Sequence, residues 1–511
     1  MRALISAYDK AGLVPFARGL TELGCELVAS GGTAQELVDA GLPVTRVEDV
    51  TGFPELLEGR VKTLHPRIHA GILARADSPQ DRAALDAHGI EPYDLVCVSL
   101  YPFELAVDRP QLDEAGLIEM IDIGGPALLR AAAKNFASVL AVCRPQDYDI
   151  VLSELREHDG ASTPQLRRRL AAIAFARTAA YESAIARWFQ RGDDLPETLV
   201  PAFDRVRELS YGENPHQRAA YYSERGARTH LLAFVVQRQG KELSFNNLND
   251  LSAARALAQE LDGPACVIVK HANPCGVGVA DTPEAAYEKA RAADPVSAYG
   301  GVVVLDRTVT AAAAEAMAEQ FVEVLFAPAY DPGALEILAS KPSVRVLEHT
   351  EQRARDHAER DYRRVLGGML VQEVDADRGR RSDMEVVCGQ LPEAAWSDVL
   401  FAWRVVKHVW SNAVVLARDG QTLGIGGGQT SRVDAVRLAL EKARELEHAL
   451  DGAVLASDAF FPFADGPRLA LEVGISTIVQ PGGSKRDDEV VTAVEAAGAT
   501  MVFTGRRHFR H

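Results

Sequence analysis

The sequence of 511 residues contains no apolar stretch approaching the ~18–20 residues that cross a bilayer, which argues against a membrane protein. Met1–Ser6 leads directly into a strand-like run, so no signal peptide is expected. The six cysteines, at positions 25, 97, 143, 266, 275 and 388, form no C-x-x-C pair and no zinc-like spacing. We therefore expect reduced thiols and a cytoplasmic protein.

The sequence has no excess of positive charge, because 72 acidic residues outnumber 55 lysines and arginines. A formal net charge of −17 at pH 7 argues against general binding to nucleic acid. It still permits a local basic pocket for one small anion, because net charge governs solubility and steering rather than individual sites. Apolar residues at 47% and charged residues at 25% are ordinary for a globular protein and exclude disorder as the main state. At about 150 residues per domain, the length predicts roughly three to four domains.

The N-terminal part alternates short apolar runs with helical patterns. Strands are predicted at Arg2–Ser6, Glu26–Ala29, Leu95–Leu100 and Ser138–Cys143, and helices at Gly12–Leu23, Thr33–Ala40, Gly125–Asn135 and Pro164–Arg191. This alternation predicts an α/β fold with a doubly wound parallel sheet. The polar cluster Gly192–Pro196 places the main boundary near residues 192–203, so we expect domains at 1–195 and 196–511.

The larger remainder is also predicted to be mixed α/β. Strands are expected at Ala265–Val269, Gly301–Leu305, Ala413–Arg418, Ala453–Ser457 and Ile475–Val479, and helices at 252–261, 283–293, 310–320, 398–408, 432–449 and 488–497. The pattern shows no short-period repeat. Residues 349–364 carry dense charge, which is typical of a solvated helix face.

Several loops of the first domain combine glycines with charged side chains. Ser30–Thr33 is either a phosphate-binding turn at a helix N-terminus or a simple tight turn. Arg60 and Lys62 share one face if the segment is extended, although a solvated basic loop explains them equally. Asp122–Pro126 is a second strand-to-helix turn. Together these loops suit a phosphorylated substrate that undergoes acid–base chemistry.

Two further residues of this domain have both a functional and a plain interpretation. Tyr101 follows a buried strand, where ligand crevices of parallel sheets lie, but it equally suits a core position. Lys134 lies near the end of a predicted helix, where the helix dipole alone favours a cation.

The second domain has its own polar loops. Lys270 and His271 stand at a strand end and suit an electrostatic stabiliser and a base, although a lone histidine is more often structural. Pro274–Gly276 lacks the H-x-E and P-C-x-x-C motifs of zinc deaminases, so no metal is expected. The glycine loop 424–432 opens a helix with Arg432, and Asn412 is expected at the end of the preceding helix. The aromatic turn 457–463 could stack a planar ring or be buried.

Taken together, these motifs make the chain similar to the bifunctional purine-biosynthesis enzymes that join AICAR transformylase to IMP cyclohydrolase. The resemblance covers essentially the whole chain and is specific because many motifs occur in one order. They are S-G-G-T (30–33), R-V-K-T-L-H-P (60–66), L-Y-P-F (100–103), D-I-G-G (122–125), A-A-A-K-N (131–135), Y-G-E-N-P-H-Q (211–217), K-H-A-N-P-C-G (270–276), S-A-Y-G-G (297–301), G-I-G-G-G-Q-T-S-R (424–432), D-A-F-F-P-F (458–463) and Q-P-G-G-S (480–484).

The resemblance implies two reactions. The C-terminal domain would transfer a formyl group from 10-formyltetrahydrofolate, as co-substrate, to the amine of AICAR. The N-terminal domain would close the formylated product, FAICAR, to IMP with loss of water. The resemblance further implies a methylglyoxal-synthase-like N-terminal domain, cytidine-deaminase-like C-terminal subdomains without zinc, and a homodimer.

The resemblance also implies the residues of the cyclohydrolase site. Lys134 would donate and accept the proton, and Lys62 and Tyr101 would stabilise the oxyanion, with Asp122 as the fourth catalytic residue. The nucleotide would contact Tyr8, Asp9, Lys10, Ser30, Gly31, Gly32, Thr33, Arg60, Thr63, Ser99, Ile123, Gly124 and Gly125.

For the transformylase site, the resemblance implies His271 as the proton acceptor, Lys270 as the stabiliser of negative charge and Asn412 as the group that orients the formyl. AICAR would contact Tyr211, Gly300, Glu323 and Arg432. The folate would lie against Val433, Phe460, Asp465, Gly483, Ser484 and Arg507.

Four positions depart from the family pattern. Ser210 replaces an expected arginine, Ser99 an asparagine, Tyr8 a serine and Glu323 an aspartate. The principal catalytic residues are present, so we expect both activities. Two rival interpretations are a nucleotide sensor and an enzyme that retains one activity, with the N-terminal domain as a regulatory nucleotide-binding module. A sensor has no use for Lys134, Lys62 and Tyr101 together, which favours catalysis.

Overall fold

The structure is a computed structural model that describes residues 1–107, 109, 111–227, 231–350 and 359–511. By its internal contacts the chain divides into two units. Unit 1 comprises Met1–Phe203 and Glu224–Gly226, and unit 2 comprises Asp204–Ser223 and Ala227–His511. The boundary expected between residues 195 and 196 stays a prediction.

Unit 1 contains five strands, ten α-helices and two short 3-10 turns in its described part. The strands are β1 Arg2–Ala7, β2 Glu26–Ala29, β3 Thr45–Arg46, β4 Leu95–Ser99 and β5 Leu140–Val142. The helices are α1 Leu13–Glu22, α2 Gly31–Asp39, α3 Val47–Thr51, α4 Pro66–Leu73, α5 Pro79–Ala87, α6 Phe103–Val107, α7 Glu114–Glu119, α8 Gly124–Lys134, α9 Tyr148–Glu157 and α10 Pro164–Phe189, and the 3-10 turns are Leu57–Gly59 and Pro145–Asp147.

The five strands of unit 1 form one parallel sheet in the order β3-β2-β1-β4-β5. Successive residues of a strand face opposite sides, so Ala3 and Ile5 pack into one core while Leu4 packs into another. Both faces are therefore covered, which explains the nearly continuous apolar strands. The predicted α/β fold with a parallel N-terminal sheet is confirmed, and the carboxyl ends of β1, β2 and β4 share one edge.

The remainder of the described chain is larger. Its strands are β6 Phe203–Leu209, β7 Ala219–Glu224, β8 Val236–Gln239, β9 Ala265–Lys270, β10 Asn273–Val279, β11 Val302–Leu305, β12 Val324–Ala327, β13 Arg345–Glu348, β14 Arg360–Val365, β15 Gly368–Glu373, β16 Glu385–Cys388, β17 Val414–Arg418, β18 Gln421–Gly426, β19 Val454–Ser457, β20 Thr477–Gln480 and β21 Thr500–Phe503. Its helices are α11 Leu231–Phe234, α12 Phe245–Ala258, α13 Pro283–Ala293, α14 Pro295–Ala298, α15 Ala311–Ala318, α16 Pro332–Ala339, α17 Trp396–Val406, α18 Arg432–Glu445, α19 Asp465–Leu471 and α20 Asp487–Ala496, with 3-10 turns at Arg381–Asp383 and Glu393–Ala395.

Twelve of these strands form a single sheet with two halves of the same design. Outward from the centre, one half runs β10-β9-β11-β12-β13-β8 and the other β18-β17-β19-β20-β21-β16. In each half the successive pairings are antiparallel, antiparallel, parallel, parallel and antiparallel. The halves meet where Gly278 of β10 pairs with Gln421 of β18. Unit 2 is therefore an internal structural duplication, a feature that no short sequence period reveals.

Each half carries a hairpin with a two-residue turn. His271 and Ala272 join β9 to β10, and Asp419 and Gly420 join β17 to β18. All four residues have positive φ, between 52° and 67°. Two successive left-handed residues make the turn whose twist matches that of paired strands, and Asp-Gly is its favoured sequence. His-Ala is not a favoured sequence for such a turn, so the turn at His271 and Ala272 needs support from other residues.

The predicted strands and helices of both parts are largely confirmed, with differences of a few residues at their ends. Two expectations differ. The dense charge of residues 349–364 suggested a helix face, but Arg360–Val365 is strand β14, and residues 351–358 lie outside the described residues. Asn412 was expected at a helix end, but α17 ends at Val406 and Asn412 lies in the loop before β17. Within the described ranges, the helices are all too short or too polar to traverse a bilayer.

Candidate active sites

In unit 1, the loop between β2 and α2 has the geometry of an anion cradle. Ser30 follows strand β2 and α2 begins at Gly31, so the amides of Gly31 and Gly32 are available there, whereas the Thr33 amide donates to the Ser30 carbonyl. The Ser30 hydroxyl is buried and, among the described residues, has no hydrogen-bond partner. The ammonium of Lys62 lies 3.3 Å from the position that a Cβ on Gly31 would take. An anion at this loop would satisfy the hydroxyl and face a cation.

Thr33 and Lys10 have mainly internal partners. The Thr33 hydroxyl accepts from the Ala7 amide and from Lys10 Nζ, each at 3.1 Å. Lys10 Nζ also donates to the Ala7 carbonyl at 3.0 Å. Burial is the main cause that lowers the pKa of Lys10, and Lys62 adds to it while Glu36 opposes it. These contacts tie the end of β1 to the start of α2.

A second set of contacts joins Lys62 to the turn before α8. The Thr63 hydroxyl lies 3.0 Å from the Cβ position of Gly124. The Asp122 carboxylate accepts from the Gly125 amide at 2.8 Å. Burial raises the pKa of Asp122, whereas the Gly125 amide and Lys62 oppose that shift. Lys62 and Asp122 therefore belong to one electrostatic group.

Tyr101 completes this group, and Tyr8 packs beside Tyr101. We call Lys62, Tyr101, Asp122 and the Ser30–Thr33 loop the unit 1 cluster. The two tyrosine rings lie 4.8 Å apart, and both side chains are partly exposed. Burial raises the pKa of the Tyr101 phenol, and Asp122 adds to that shift. The β1 and β4 edges meet here because Ala7 is paired with Ser99.

Ser99, where an asparagine is typical, has a defined structural partner. Its hydroxyl accepts from the Asp9 amide at 2.9 Å, and its carbonyl accepts from the Tyr8 amide at 3.3 Å. Asp9 in turn accepts from the Ala11 amide. The serine therefore holds the Tyr8–Lys10 segment, and its O–H can still donate to a ligand, so the predicted substrate contact stays a prediction.

Three predicted residues are placed differently from the others. Arg60 has helical backbone angles, so the condition under which it would share a face with Lys62, an extended segment, is not met. Its guanidinium pairs with the Glu119 carboxylate at 3.2 Å. Ile123 is exposed beside Asp122. Lys134 is exposed at the far end of α8, and the helix rise of 1.5 Å per residue puts it about 15 Å from Gly124. The structure does not bring Lys134 to the unit 1 cluster.

In unit 2, the β9–β10 turn presents His271. His271 is exposed, and the Asp250 carboxylate on α12 accepts from the His271 amide at 3.3 Å and the Ala272 amide at 2.7 Å. Burial raises the pKa of Asp250, and the two amides oppose this shift. Lys270 Nζ donates to the Tyr299 carbonyl at 3.0 Å, which directs the ammonium towards Gly300.

Neighbouring strand ends add Gly300 and Glu323 to this edge. Val302 pairs with both Val269 and Val324. Lys270, Gly300 and Glu323, which lie close to these paired positions in the chain, are therefore at the same end of the sheet. Glu323 is held by the buried Arg345, whose guanidinium donates to the carboxylate at 2.6 Å. The glutamate that replaces the expected aspartate is thus anchored by Arg345, a partner that no motif in the sequence indicates.

The second half of the sheet supplies Asn412 and Arg432. The Arg432 guanidinium donates to the Asn412 side-chain oxygen at 2.7 Å, to Ser457 Oγ at 2.7 Å and to Asp458. The Asn412 side-chain nitrogen donates to the Gln429 carbonyl at 2.9 Å. Both ends of the amide are held, so its orientation is defined and one N–H of the amide is left for a further acceptor.

The two halves of the site meet at one edge of the sheet. β10 and β18 are antiparallel, which puts the start of β17 beside the end of β9. The Asn273 side-chain oxygen accepts from the Trp410 amide at 2.9 Å and joins the two edges directly. A cavity of about 190 Å³ lies between β10 and β18, lined by Asn273, Cys275, Gly424, Gly427 and Lys442 among others. The strand pairings therefore put His271 and Asn412 at the same end of the sheet, and neither residue lines this cavity.

The remaining predicted contacts lie on surrounding loops. Tyr211 accepts from the Phe245 amide, and Ser210 bonds to Leu243 instead of supplying a cation. Phe460 and Phe463 are partly exposed near Asp465, and Val433 is half-buried at the start of α18. Gly483 and Ser484 donate their amides to Asp487. The guanidinium of Arg507 stacks on the Phe509 ring at 4.6 Å.

Polar contacts hold the C-terminal tail in place. The sequence alone had left open whether this tail is ordered. The His508 amide donates to the Asp458 carbonyl, and the Ser411 amide donates to the Arg510 carbonyl, each at 2.9 Å. Ser411 Oγ also donates to the Asp458 carboxylate. The supporting residues Asp250, Asp458 and Arg345 were missed because nothing local in the sequence marks a carboxylate or guanidinium as the partner of a distant loop. Across the described ranges, His, Cys, Asp and Glu side chains form no group suited to hold a metal ion.

Known protein families and a solved structure show matches to this chain. A family model described as "AICARFT/IMPCHase bienzyme" matches residues 132–442, more than half of the chain. An MGS-like domain model matches residues 12–127. A solved structure described as "Crystal structure of ForH" is 41% identical to this chain, with a TM-score of 0.34, over 37% of this chain and 96% of that chain. The chain therefore belongs to the AICARFT/IMPCHase bienzyme family, as a bifunctional formyltransferase and cyclohydrolase of the last two steps of IMP biosynthesis.

Proposed function

We propose that unit 1 closes FAICAR to IMP at the unit 1 cluster, and that unit 2 transfers the formyl group from 10-formyltetrahydrofolate to AICAR around His271, at the end of the sheet that also carries Asn412. The observation that carries this assignment is the convergence, in each unit separately, of residues that the motifs mark. Lys62, Tyr101 and Asp122 converge in unit 1. In unit 2, strand pairing brings the turn that carries Lys270 and His271 to the same end of the sheet as Asn412.

Ring closure needs positioning more than chemical activation. The carboxamide nitrogen attacks the formyl carbon of the same molecule, so holding the two groups together lowers the barrier directly. The Ser30–Thr33 cradle would hold the phosphate. Lys62 and Tyr101 would stabilise the oxyanion that forms on the formyl oxygen before water is lost. Lys134 is assigned proton transfer by resemblance alone, because its position supplies no support for that role.

Formyl transfer needs a base because the amine of AICAR is a weak nucleophile beside its carboxamide. His271 would accept the amine proton, and Lys270 would stabilise negative charge on the formyl oxygen. Asn412 would donate its remaining N–H to the formyl oxygen. Contacts to AICAR would come from Tyr211, Gly300, Glu323 and Arg432.

The folate supplies the formyl group and would bind along the loops beyond Arg432. The partly exposed Phe460 and the neighbouring Val433 offer an apolar surface for a planar ring. Asp465 would bond its polar edge, and Gly483, Ser484 and Arg507 would contact the rest of the molecule. Anchoring of the Gly483 and Ser484 amides by Asp487 supports a defined loop shape there.

A homodimer is also proposed. The hairpin β14–β15 is a two-stranded sheet by itself, and an isolated hairpin is marginally stable in water. Leu366 at its tip and Leu370 on β15 are exposed. A second copy of the chain would cover them. The six unpaired cysteines support a location in the reducing cytoplasm.

The test is an assay of the intact protein with AICAR and 10-formyltetrahydrofolate, with the product identified by mass. IMP is the expected product. Accumulation of FAICAR would favour the alternative in which unit 1 is a nucleotide-binding regulatory module. An absence of folate turnover would contradict the assignment of unit 2. Supplying FAICAR directly measures ring closure independently of formyl transfer.

A further inference from the structure

The duplicated halves of the sheet share a device at their hairpins. In one half Asp250 of α12 accepts the amides of His271 and Ala272. In the other half Asp398 of α17 accepts the amides of Asp419 and Gly420, at 2.8 and 2.9 Å. Each carboxylate comes from the helix that precedes its hairpin and binds both amides of the two-residue turn. The device is thus a repeated part of the scaffold.

The two turns differ in how much they need this support. Asp-Gly adopts two successive left-handed conformations readily, because glycine has no Cβ to clash. Histidine tolerates a positive φ better than most residues, but alanine has little intrinsic preference for it. His271 and Ala272 nevertheless have φ of 55° and 59°. An observed left-handed pair without glycine indicates a conformation retained for function, and something must hold it.

We propose that Asp250 is a positioning residue for formyl transfer, because its carboxylate holds the left-handed turn that presents His271 towards the substrate. This inference rests on the proposed role of His271 as the base. Lys270 and Asn273 close the same turn as the last residue of β9 and the first of β10. Lys270 Nζ is bonded to Tyr299, and Asn273 is bonded to Trp410, so the turn is clamped from three sides.

Loss of the Asp250 contact would therefore displace the base more than it would disturb binding. The carboxylate touches only backbone amides of the turn in these contacts, whereas the proposed AICAR contacts lie on other loops and at the start of α18. Misplacement of a catalytic group by about 1 Å costs on the order of 100-fold in rate. The effect belongs in kcat, with KM for AICAR nearly unchanged.

The test compares Asp250→Asn with Asp398→Asn in the full-length protein. Each change replaces one of the two carboxylate oxygens, both acceptors, by an amide NH2 group, a donor that faces a backbone N–H. The Asp419 turn lies at the end of β17, at the opposite edge from Asn412, so Asp398→Asn is the matched control. We expect similar drops in the unfolding midpoint for both variants. Only Asp250→Asn should lower kcat for formyl transfer, by about 10- to 100-fold.

Equal rate losses in the two variants, a wild-type kcat in Asp250→Asn, or a change confined to KM would each overturn the proposal. If Asp250→Asn does not fold, it is combined with Ala272→Gly, since glycine keeps the hairpin in the left-handed conformation. The double variant should fold and regain most of the wild-type kcat, because glycine restores the turn that presents His271. A folded double variant whose kcat stays about 10- to 100-fold low would overturn the proposal, since Asp250 would then act other than through the turn.

His271→Ala distinguishes a failure of this inference from a failure of the proposed role of His271 as the base. If His271→Ala loses formyl transfer and Asp250→Asn does not, only the positioning role of Asp250 fails. If His271→Ala transfers formyl at the wild-type rate, the assigned base and the inference fail together. Ring closure of supplied FAICAR, measured on every variant, reports whether unit 1 is intact.

Discussion

The two candidate sites of this chain are built in different ways. The unit 1 cluster gathers the ends of parallel strands and the start of a helix, so backbone amides and a few charged side chains come together directly. The unit 2 site depends on a hairpin turn and on side chains held by other buried side chains, as in Arg432 with Asn412 and Asp458. The first arrangement suits a reaction within one bound molecule. The second suits a transfer between two molecules, where each reacting group must be aimed.

The largest effect is expected for His271→Ala. Without the base, formyl transfer should become undetectable or fall by at least about 100-fold, since general base catalysis contributes roughly 10²–10⁴. Ring closure of supplied FAICAR should continue at the wild-type rate. Steady-state assays of the two half-reactions measure this, and transfer at the wild-type rate would remove His271 from its role.

Lys62→Ala should produce the reverse pattern. Loss of a cation that stabilises the oxyanion costs about 10²- to 10³-fold, so ring closure should slow by that order. Formyl transfer, followed by folate absorbance, should persist. Lys62→Arg, which retains the charge, is the matched variant. A comparable loss of both reactions in Lys62→Ala would contradict two separate sites.

Lys134→Ala tests the one assigned residue that lies away from its group. If Lys134 transfers a proton, ring closure should fall by about 100-fold while formyl transfer persists. Its place at the last turn of α8 also fits a cation favoured by the helix dipole, a role that predicts only a small loss of stability. Wild-type ring closure together with a slightly lower unfolding midpoint would establish that second role.

A smaller effect is expected for Tyr181→Phe in unit 1. The Tyr181 phenol accepts from the Asp122 amide at 2.7 Å and donates to the Met120 carbonyl at 3.3 Å, so it holds the turn that carries Asp122. Losing these bonds should cost about 1 kcal/mol of stability and slow ring closure several-fold.

Tyr93→Phe is the control for Tyr181→Phe. In the described part of the chain, the buried Tyr93 hydroxyl has no hydrogen-bond partner, so its removal breaks no such bond. Thermal unfolding and the ring-closure assay are compared for the two variants. Equal behaviour would show that Tyr181 has no special part in placing Asp122.

Local patterns in the sequence were sufficient for the fold of unit 1. Its strands are apolar on both faces and its helices are amphipathic, so the residue pattern of each segment indicates which of its faces are buried. The same reasoning selected Lys62, Asp122 and His271, because each stands in a motif that the sequence displays. It could not decide whether Arg60 shares a face with Lys62, because that depends on an extended segment and Arg60 has helical backbone angles.

The sequence by itself determined the α/β class, the family and the motifs that carry the chemistry, since these depend on residues that are neighbours along the chain. The duplication of the unit 2 sheet and the hydrogen bonds that distant loops donate to Asp250 and Asp458 were decided only by the tertiary structure. Their physical reason is the same. A carboxylate accepts any N–H that the fold brings within hydrogen-bond distance, and the pairing of strands far apart in sequence determines which one that is.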